Sequence, residues 1–260
     1  MRLANSLGAQ AWPAMPEITA LVVDPNCPRD LQADANSFVE KHAVEVMPRL
    51  IEMIEDRSER RDYKPVFGRI GKPAIEALAK CAASQNEREK FIGIAEVLAS
   101  LGKQGRVAVP MLLPRLLQPD DTIYSHAYGT IRDMGIDPEH APALAAMLVD
   151  PARPKERDDN LAFLCDDVLP PLGPGLAEAV PHLRKGLKNG NYRIVRSCIK
   201  ALKAAGPAAR QALPDMADML KSDDVEWDLK ALILETIGAM GPEAIDLAPK
   251  LVAMLSHPFA

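Results

Sequence analysis

The sequence predicts an all-α solenoid, a right-handed superhelix of about seven helical hairpins. Three observations carry that expectation. A glycine followed eight residues later by a proline recurs along the chain, as in GPAARQALPDMADML from Gly206, GPGLAEAVPHLRKGL from Gly173, GPEAIDLAPKLVAML from Gly241 and GKQGRVAVPMLLPRLL from Gly102. The prolines, with Ala79 standing in one place, fall at 16, 48, 79, 110, 142, 181, 214 and 249, so the repeat is thirty-odd residues long, the mark of units that bury their apolar faces by stacking on neighbours. Only 4% of the 260 residues are aromatic, which suits a core of small aliphatic helices better than a β-sandwich.

Each unit is read from its punctuation. Counting back from the glycine, a first helix shows apolar residues at −8, −4 and −1: Ile94, Leu98 and Leu101; Ala127, Ile131 and Met134; Cys198, Leu202 and Ala205; Ile233, Ile237 and Met240. The glycine is expected to end that helix in the left-handed conformation. After the proline, positions +2 and +6 form the stripe of a second helix, from Ile18 and Val22 through Leu112 and Leu116 to Leu251 and Leu255. The unit around Ala79 offers Cys81 and Gln85 there, which predicts local irregularity. Polar helix starts are expected at Asp120-Asp121-Thr122, Asn189-Gly190-Asn191 and Ser222-Asp223-Asp224. The chain reads as one repeat domain, 1–260, with an irregular or capping part over about 1–47 and regular repeats over about 48–255. Asp24 to Ala43 lacks clean columns. Between Pro142 and Pro181 the step lengthens by about six residues, and the added chain, DPARPKERDDN and LPPLGPG, is expected on an edge loop. Open ends of the stack would allow self-association.

The helix ending L-x-x-x-G, the proline-bearing helix P-x-L-x-x-x-L and the following V-R-x-x-x-x-A-L resemble HEAT repeats of the short bacterial kind, related to those of phycobilin lyases. Asn189 to Gly206, with Val195-Arg196, carries the resemblance most closely. It implies second helices along a concave, partner-binding surface. It also brings two other readings: a DNA-glycosylase-like solenoid, with Trp227-Asp228 beside a basic unit, and a bilin-lyase-like accessory protein.

Function is read from charge. From Ala179 to Pro214 there is no Asp or Glu against eight cations, whereas Asp215 to Asp246 holds nine acids against Lys221 and Lys230. Exposed charges mostly neutralise one another or stay solvated. The functional expectation is a basic patch of His182, Arg184, Lys185 and Lys188 beside Asp215, Asp218 and Trp227, holding a protein with an acidic surface. Nucleic acid is disfavoured, because Asp224, Glu226 and Asp228 flank the tryptophan and the net charge is −5. Metal and cofactor motifs are not written here: Cys27, Cys81, Cys165 and Cys198 form no C-x-x-C, and no His-Glu dipeptide occurs. Gly68-Arg69-Ile70-Gly71-Lys72-Pro73 lacks the spacing of a phosphate loop and reads as a helix end. Cys165 and Cys198 take core columns. The chain has no run of eighteen apolar residues, which argues against a membrane span; the scattered cysteines suit a reducing cytoplasm, and without a catalytic motif the expectation is a non-enzymatic protein-binding scaffold without a cofactor.

Overall fold

The structure, a computed structural model, describes residues 14–24, 26–55, 63–242 and 244. Fourteen α-helices and several 3₁₀ segments account for most of them, and among the described residues there is no strand. The chain divides into two compact units, Met1–Gly135 and Ile136–Ala260.

The first unit holds α1 (Met15–Val23), α2 (Arg29–Lys41), α3 (Ala43–Glu55), α4 (Lys64–Ile70), α5 (Lys72–Ser84), α6 (Arg88–Ser100), the short α7 (Val109–Leu112) and α8 (Asp121–Met134). Although Asp24 to Ala43 shows no shared columns, α2 forms there and buries Ala35, Phe38 and Val39 at helical spacing. Gln32 Nε2 ties it to α1 by donating to the carbonyls of Val22 and Asp24. Helix α6 packs against α3, α5 and α8.

The second unit holds α9 (Ala141–Val149), α10 (Asp158–Val168), α11 (Val180–Gly186), α12 (Tyr192–Ala205), α13 (Leu213–Lys221) and α14 (Trp227–Ala239). First helices α10, α12 and α14 lie side by side in that order, and second helix α9 packs on α11. Every first-helix column residue named above is buried, and so is every second-helix pair from Ile18 and Val22 to Met216 and Leu220 that carries the proline. Leu251 and Leu255, like Gly8 and Pro249, lie outside the described residues. Full burial of one Leu or Ile stabilises by roughly 1.5–3 kcal/mol, against about 0–1 kcal/mol for an exposed ion pair. The apolar columns therefore hold each stack together, and the charges on its surface contribute little to stability.

Gly71, Gly135 and Gly206 do end first helices, and Gly173 kinks the 3₁₀ segment Pro170–Ala179 that follows α10, but none of them takes the helical left-handed well. Gly71, Gly135, Gly173 and Gly206 combine φ of 76°, 68°, 52° and 57° with ψ of −150°, −171°, −129° and −131°. This corner of backbone space, positive φ with extended ψ, is essentially closed to residues with a Cβ. It turns the chain sharply rather than completing one more helical turn. No described non-glycine residue has positive φ. Gly71, eight residues before Ala79, supplies the missing member of the frame.

The unit around Ala79 corrects the expectation of irregularity. Where proline occupies the marker place in the later repeats, the preceding residues form 3₁₀ turns, such as Gly102–Ala108 and Gly206–Ala212, and the α-helix opens one residue before Pro110, Pro142, Pro181 or Pro214. Proline lacks an N–H and its ring clashes with the carbonyl four residues back, so an α-helix cannot run through it from the glycine unperturbed. With Ala79 in that place, Lys72–Ser84 is one continuous α-helix burying Ala74, Ile75, Leu78, Ala79 and Ala82. Pro48 behaves otherwise, because α3 starts only at Ala43 and carries it in its second turn.

Asp120 and Asn191 cap α8 and α12 as expected, each accepting from two backbone N–H groups. Asp120 also takes a hydrogen bond from Arg88, which holds its carboxyl below the usual value of 3.8. The third predicted start shifts. Ser222 closes α13, and α14 begins only at Trp227, with Glu226 at the cap position and no side-chain cap.

Candidate functional site

The expected basic patch lies on α11 and α13. Arg184 Nε donates to Asp215 Oδ2 at 2.7 Å and Lys188 Nζ lies 3.3 Å from the other carboxylate oxygen. Asp215 is thus clasped from the preceding repeat, and two of the four expected patch residues are engaged within the protein. Lys185 is exposed and His182 half-buried on the same helix. Asp218, one turn past Asp215, pairs with Lys221 at 2.7 Å. Trp227 sits on a different element, the first turn of α14, 66% exposed, with Lys230 Nζ 5.1 Å from its ring centroid. The structure therefore joins Arg184, Lys188 and Asp215, and places Trp227 on a first helix.

A second group of contacts runs across the first helices of the same unit. Arg193 Nε lies 3.0 Å from Asp159 Oδ2, and its guanidinium stacks 4.9 Å from the Phe163 ring centroid. Arg196 and Lys200, one turn apart on α12, both reach Asp166 Oδ2 on α10. Tyr192 donates its hydroxyl to Asp228, and Lys203 pairs with Glu235 at 2.7 Å, both on α14. The hydrogen bond to Asp228 raises the Tyr192 pKa above 10.0, so the phenol stays protonated at neutral pH. Beneath them Ser197 Oγ donates to the Ala162 carbonyl at 3.1 Å. Ala162, Phe163, Asp166, Tyr192, Arg193, Arg196 and Asp228 line a cleft of about 390 Å³. Phe163, 45% exposed, and Trp227 are the large hydrophobic residues left exposed among the described residues.

The lengthened step forms the edge of another cleft, about 640 Å³, between Asp150–Asp158 and Asn189–Asn191. Its arginine is committed: Arg153 is buried, with Nε 2.8 Å from Asp158 Oδ1 and Nη1 2.7 Å from the Asp150 carbonyl, bracing the end of α9 against the start of α10. That arrangement is structural, as charge-assisted bonds at a helix C-terminus usually are.

Sequence reading singled out the charge blocks and missed the first-helix cleft. The signal was present as opposite charges one repeat apart: Asp159 with Arg193, Asp166 with Arg196 and Lys200, Lys203 with Glu235.

For chemistry the arrangement offers little. Among the described residues no group of three His, Cys, Asp or Glu is placed to hold a metal ion. Cys165 and Cys198 are buried free thiols, and burial pushes Cys165 well above 9.0 and Cys198 up to about 12. Such thiols are poor nucleophiles. A disulfide-exchange reagent is expected to react with Cys27 and Cys81 in the native protein, and with Cys165 and Cys198 only after denaturation; rapid reaction of all four would contradict this burial. The same shift gives a pH dependence. Above pH 9 the unfolded thiols ionise while the folded ones keep their protons, so stability should fall as pH rises from 9 towards 12.

No family model and no curated protein matches the sequence. Solved structures do resemble it. An engineered protein, Northeast Structural Genomics Consortium target OR329, aligns at 14% identity and a TM-score of 0.43, over 88% of this chain and 97% of its own. A second engineered protein, target OR497, aligns at 15% and 0.46, covering 95% of this chain and 64% of its own. Kap121p aligns at 12% and 0.44 over 95% of this chain, which spans 31% of the Kap121p chain. The fold itself is an all-α helical repeat of the solenoid class. Among the described residues no helix is long and apolar enough to cross a membrane.

Proposed function

We propose that this chain is a non-enzymatic adaptor of short HEAT-type repeats that binds a protein partner in a reducing, cytoplasmic setting. One observation carries the reading: on the first helices of the second unit Phe163 is exposed on the wall of a cleft and Trp227 is exposed on the first turn of α14, whereas the apolar column residues are buried. Exposed aromatic side chains next to polar groups are typical anchors of protein recognition, since they add large contact area at low entropic cost. The Arg184–Asp215–Lys188 clasp braces the stack, with Lys185 and His182 at its rim.

Affinity capture from the native host, quantified by mass spectrometry, tests this with two variants. Phe163→Ala with Trp227→Ala is expected to lose the partner, and Arg184→Glu with Lys185→Glu and Lys188→Glu to retain it. The reverse pattern would move the binding face to the second helices. A wild type that captures nothing above background would sink the adaptor reading.

A further inference from the structure

Helix α14 is apolar on two sides. Among the described residues it packs against α12, α13 and the turn Gly206–Ala212, burying Leu229, Ile233 and Ile237. Its outer side carries a second stripe, Trp227, Ala231, Leu234 and Gly238, which are spaced four, three and four residues apart and so share one helix face. Trp227, Ala231 and Gly238 are exposed and Leu234 is half-buried. A helix apolar all round belongs against something on both sides.

The preceding repeat shows what this column usually does. The same four places on α12, counted back from Gly206 as these are from Gly241, hold Tyr192, Arg196, Ile199 and Lys203. Tyr192 donates to Asp228, Arg196 reaches Asp166 and Lys203 pairs with Glu235, while Ile199 is fully buried. On α14 the column is uncharged and alternates large with small. Gly238 has no explanation inside this chain, because a Cβ built there meets nothing within 4 Å and its φ is not positive. Alanine would make the helix more stable.

We propose that this face is a homodimer contact in which α14 packs antiparallel on α14 of a second copy. A two-fold axis between Leu232 and Ile233 sets Trp227 of each copy opposite Gly238 of the other, and Ala231 opposite Leu234. Every large side chain then meets a small one, which is the self-complementarity a two-fold contact requires. The glycine is the socket for the indole. Lys230 sits over its own Trp227 ring, and the two lysines stand five residues out of step, roughly 7–8 Å along the axes. On the other flank Asp228 and Glu235 stay matched within each copy by Tyr192 and Lys203. The seam itself is apolar, so added salt should not loosen it. Three turns of one helix offer less than the ~800 Å² per partner of a stable interface, so the dimer should dissociate on dilution. It covers Trp227, leaves Phe163 on the cleft wall and needs no other protein, so it stands or falls separately from the adaptor reading.

Sedimentation velocity on the purified full chain, from about 5 to about 500 µM, spans the affinity expected of so small a contact. Wild type should pass from monomer to dimer across that range, as fully in about 1 M salt as in about 0.1 M. Trp227→Gly and Gly238→Trp should each weaken association at least about tenfold, the first by emptying the socket and the second by opposing two indoles. Helicity should be unchanged, since both positions are exposed. Mixed in equal amounts, the two variants should dimerise again, because every indole then faces a glycine. Gly238→Gln blocks the same socket and decides the matter if the tryptophan variant fails to fold. A wild type monomeric throughout, a dimer that survives these substitutions, dissociation by salt, or no recovery on mixing would each overturn the contact.

Discussion

Arg115→Met should lower the unfolding free energy by about 2–4 kcal/mol, a large loss for changing one charged residue. Arg115 is 3% exposed, and it reaches back one repeat to the end of α5. Its Nε donates to the Ala82 carbonyl at 3.1 Å, and its Nη2 to the carbonyls of Ala83 and, at 3.0 Å, Gln85. Ala82 and Ala83 lie in the last turn of α5, where no further helical N–H is available to donate to their carbonyls. The guanidinium thus caps a helix terminus that α5 cannot cap for itself. It also lies 5.6 Å from the Phe91 ring centroid, and burial lowers its pKa. Methionine keeps the stem and removes every donor, so Ala82 loses its partner inside the protein while Ala83, nearer the surface, can turn to water. That partial rescue is why the estimate stops at about 4 kcal/mol. Arg115→Lys should fall between, since an ammonium keeps the charge but lacks the fork that serves three carbonyls. The urea midpoint of each variant, with unchanged slope, reads the effect. A Met variant within about 0.5 kcal/mol of wild type would show that the cap is dispensable.

Arg115 also marks where the sequence becomes illegible. Positions +2 and +6 after each proline, and −8, −4 and −1 before each glycine, could be read because the same physical demand recurs in every unit: an aliphatic side chain facing the next helix. Arg115 stands at +5, where the other units carry Leu21, Met53, Ser84, Met147, Gly186, Met219 and Met254. A column that is Leu or Met in most units and Ser or Gly in two does not foretell a capping arginine, because what Arg115 reaches is set by the local end of a neighbouring helix. Periodicity is silent there. Continuity of α5 was hidden for a related reason: Cys81 and Gln85 in the apolar columns looked like a weak unit, whereas Ala79 in the marker place leaves out the residue that interrupts the helix elsewhere. At the candidate site, charge blocks were visible as runs, yet a run gives no pairing. Asp215 with Arg184 and Lys188, and Asp166 with Arg196 and Lys200, are separated by about one repeat, so only the register of stacked helices shows which charges are spent.

Gly186, in the same +5 column, should be intolerant of even one added carbon. A Cβ built there meets Cys198 Sγ at 2.2 Å and Val149 Cγ1 at 3.1 Å, so α11 approaches α9 and α12 more closely than a side chain permits. Gly186→Ala would ordinarily gain about 0.5–1 kcal/mol from reduced backbone entropy in a helix. Overpacking of roughly 1–3 kcal/mol opposes this, and with Cys198 0% exposed the sulfur has little room to retreat. The net expectation is a destabilisation of about 1–2 kcal/mol. The partner change decides whether the sulfur is the cause. Cys198→Ala by itself should destabilise by about 1 kcal/mol, by emptying a buried volume. In the double variant the new methyl occupies the space the sulfur left; its next contacts are the Cβ of residue 198 at 3.4 Å, an ordinary packing distance, and Val149 Cγ1 at 3.1 Å, which has to give by only a few tenths of an ångström. The two losses should therefore not add: a double-mutant cycle by chemical denaturation should return a favourable coupling of about 1–2 kcal/mol. Additive losses would mean that the helices accommodate the methyl by moving apart, and that Gly186 is set by backbone conformation instead of by the thiol packed against it.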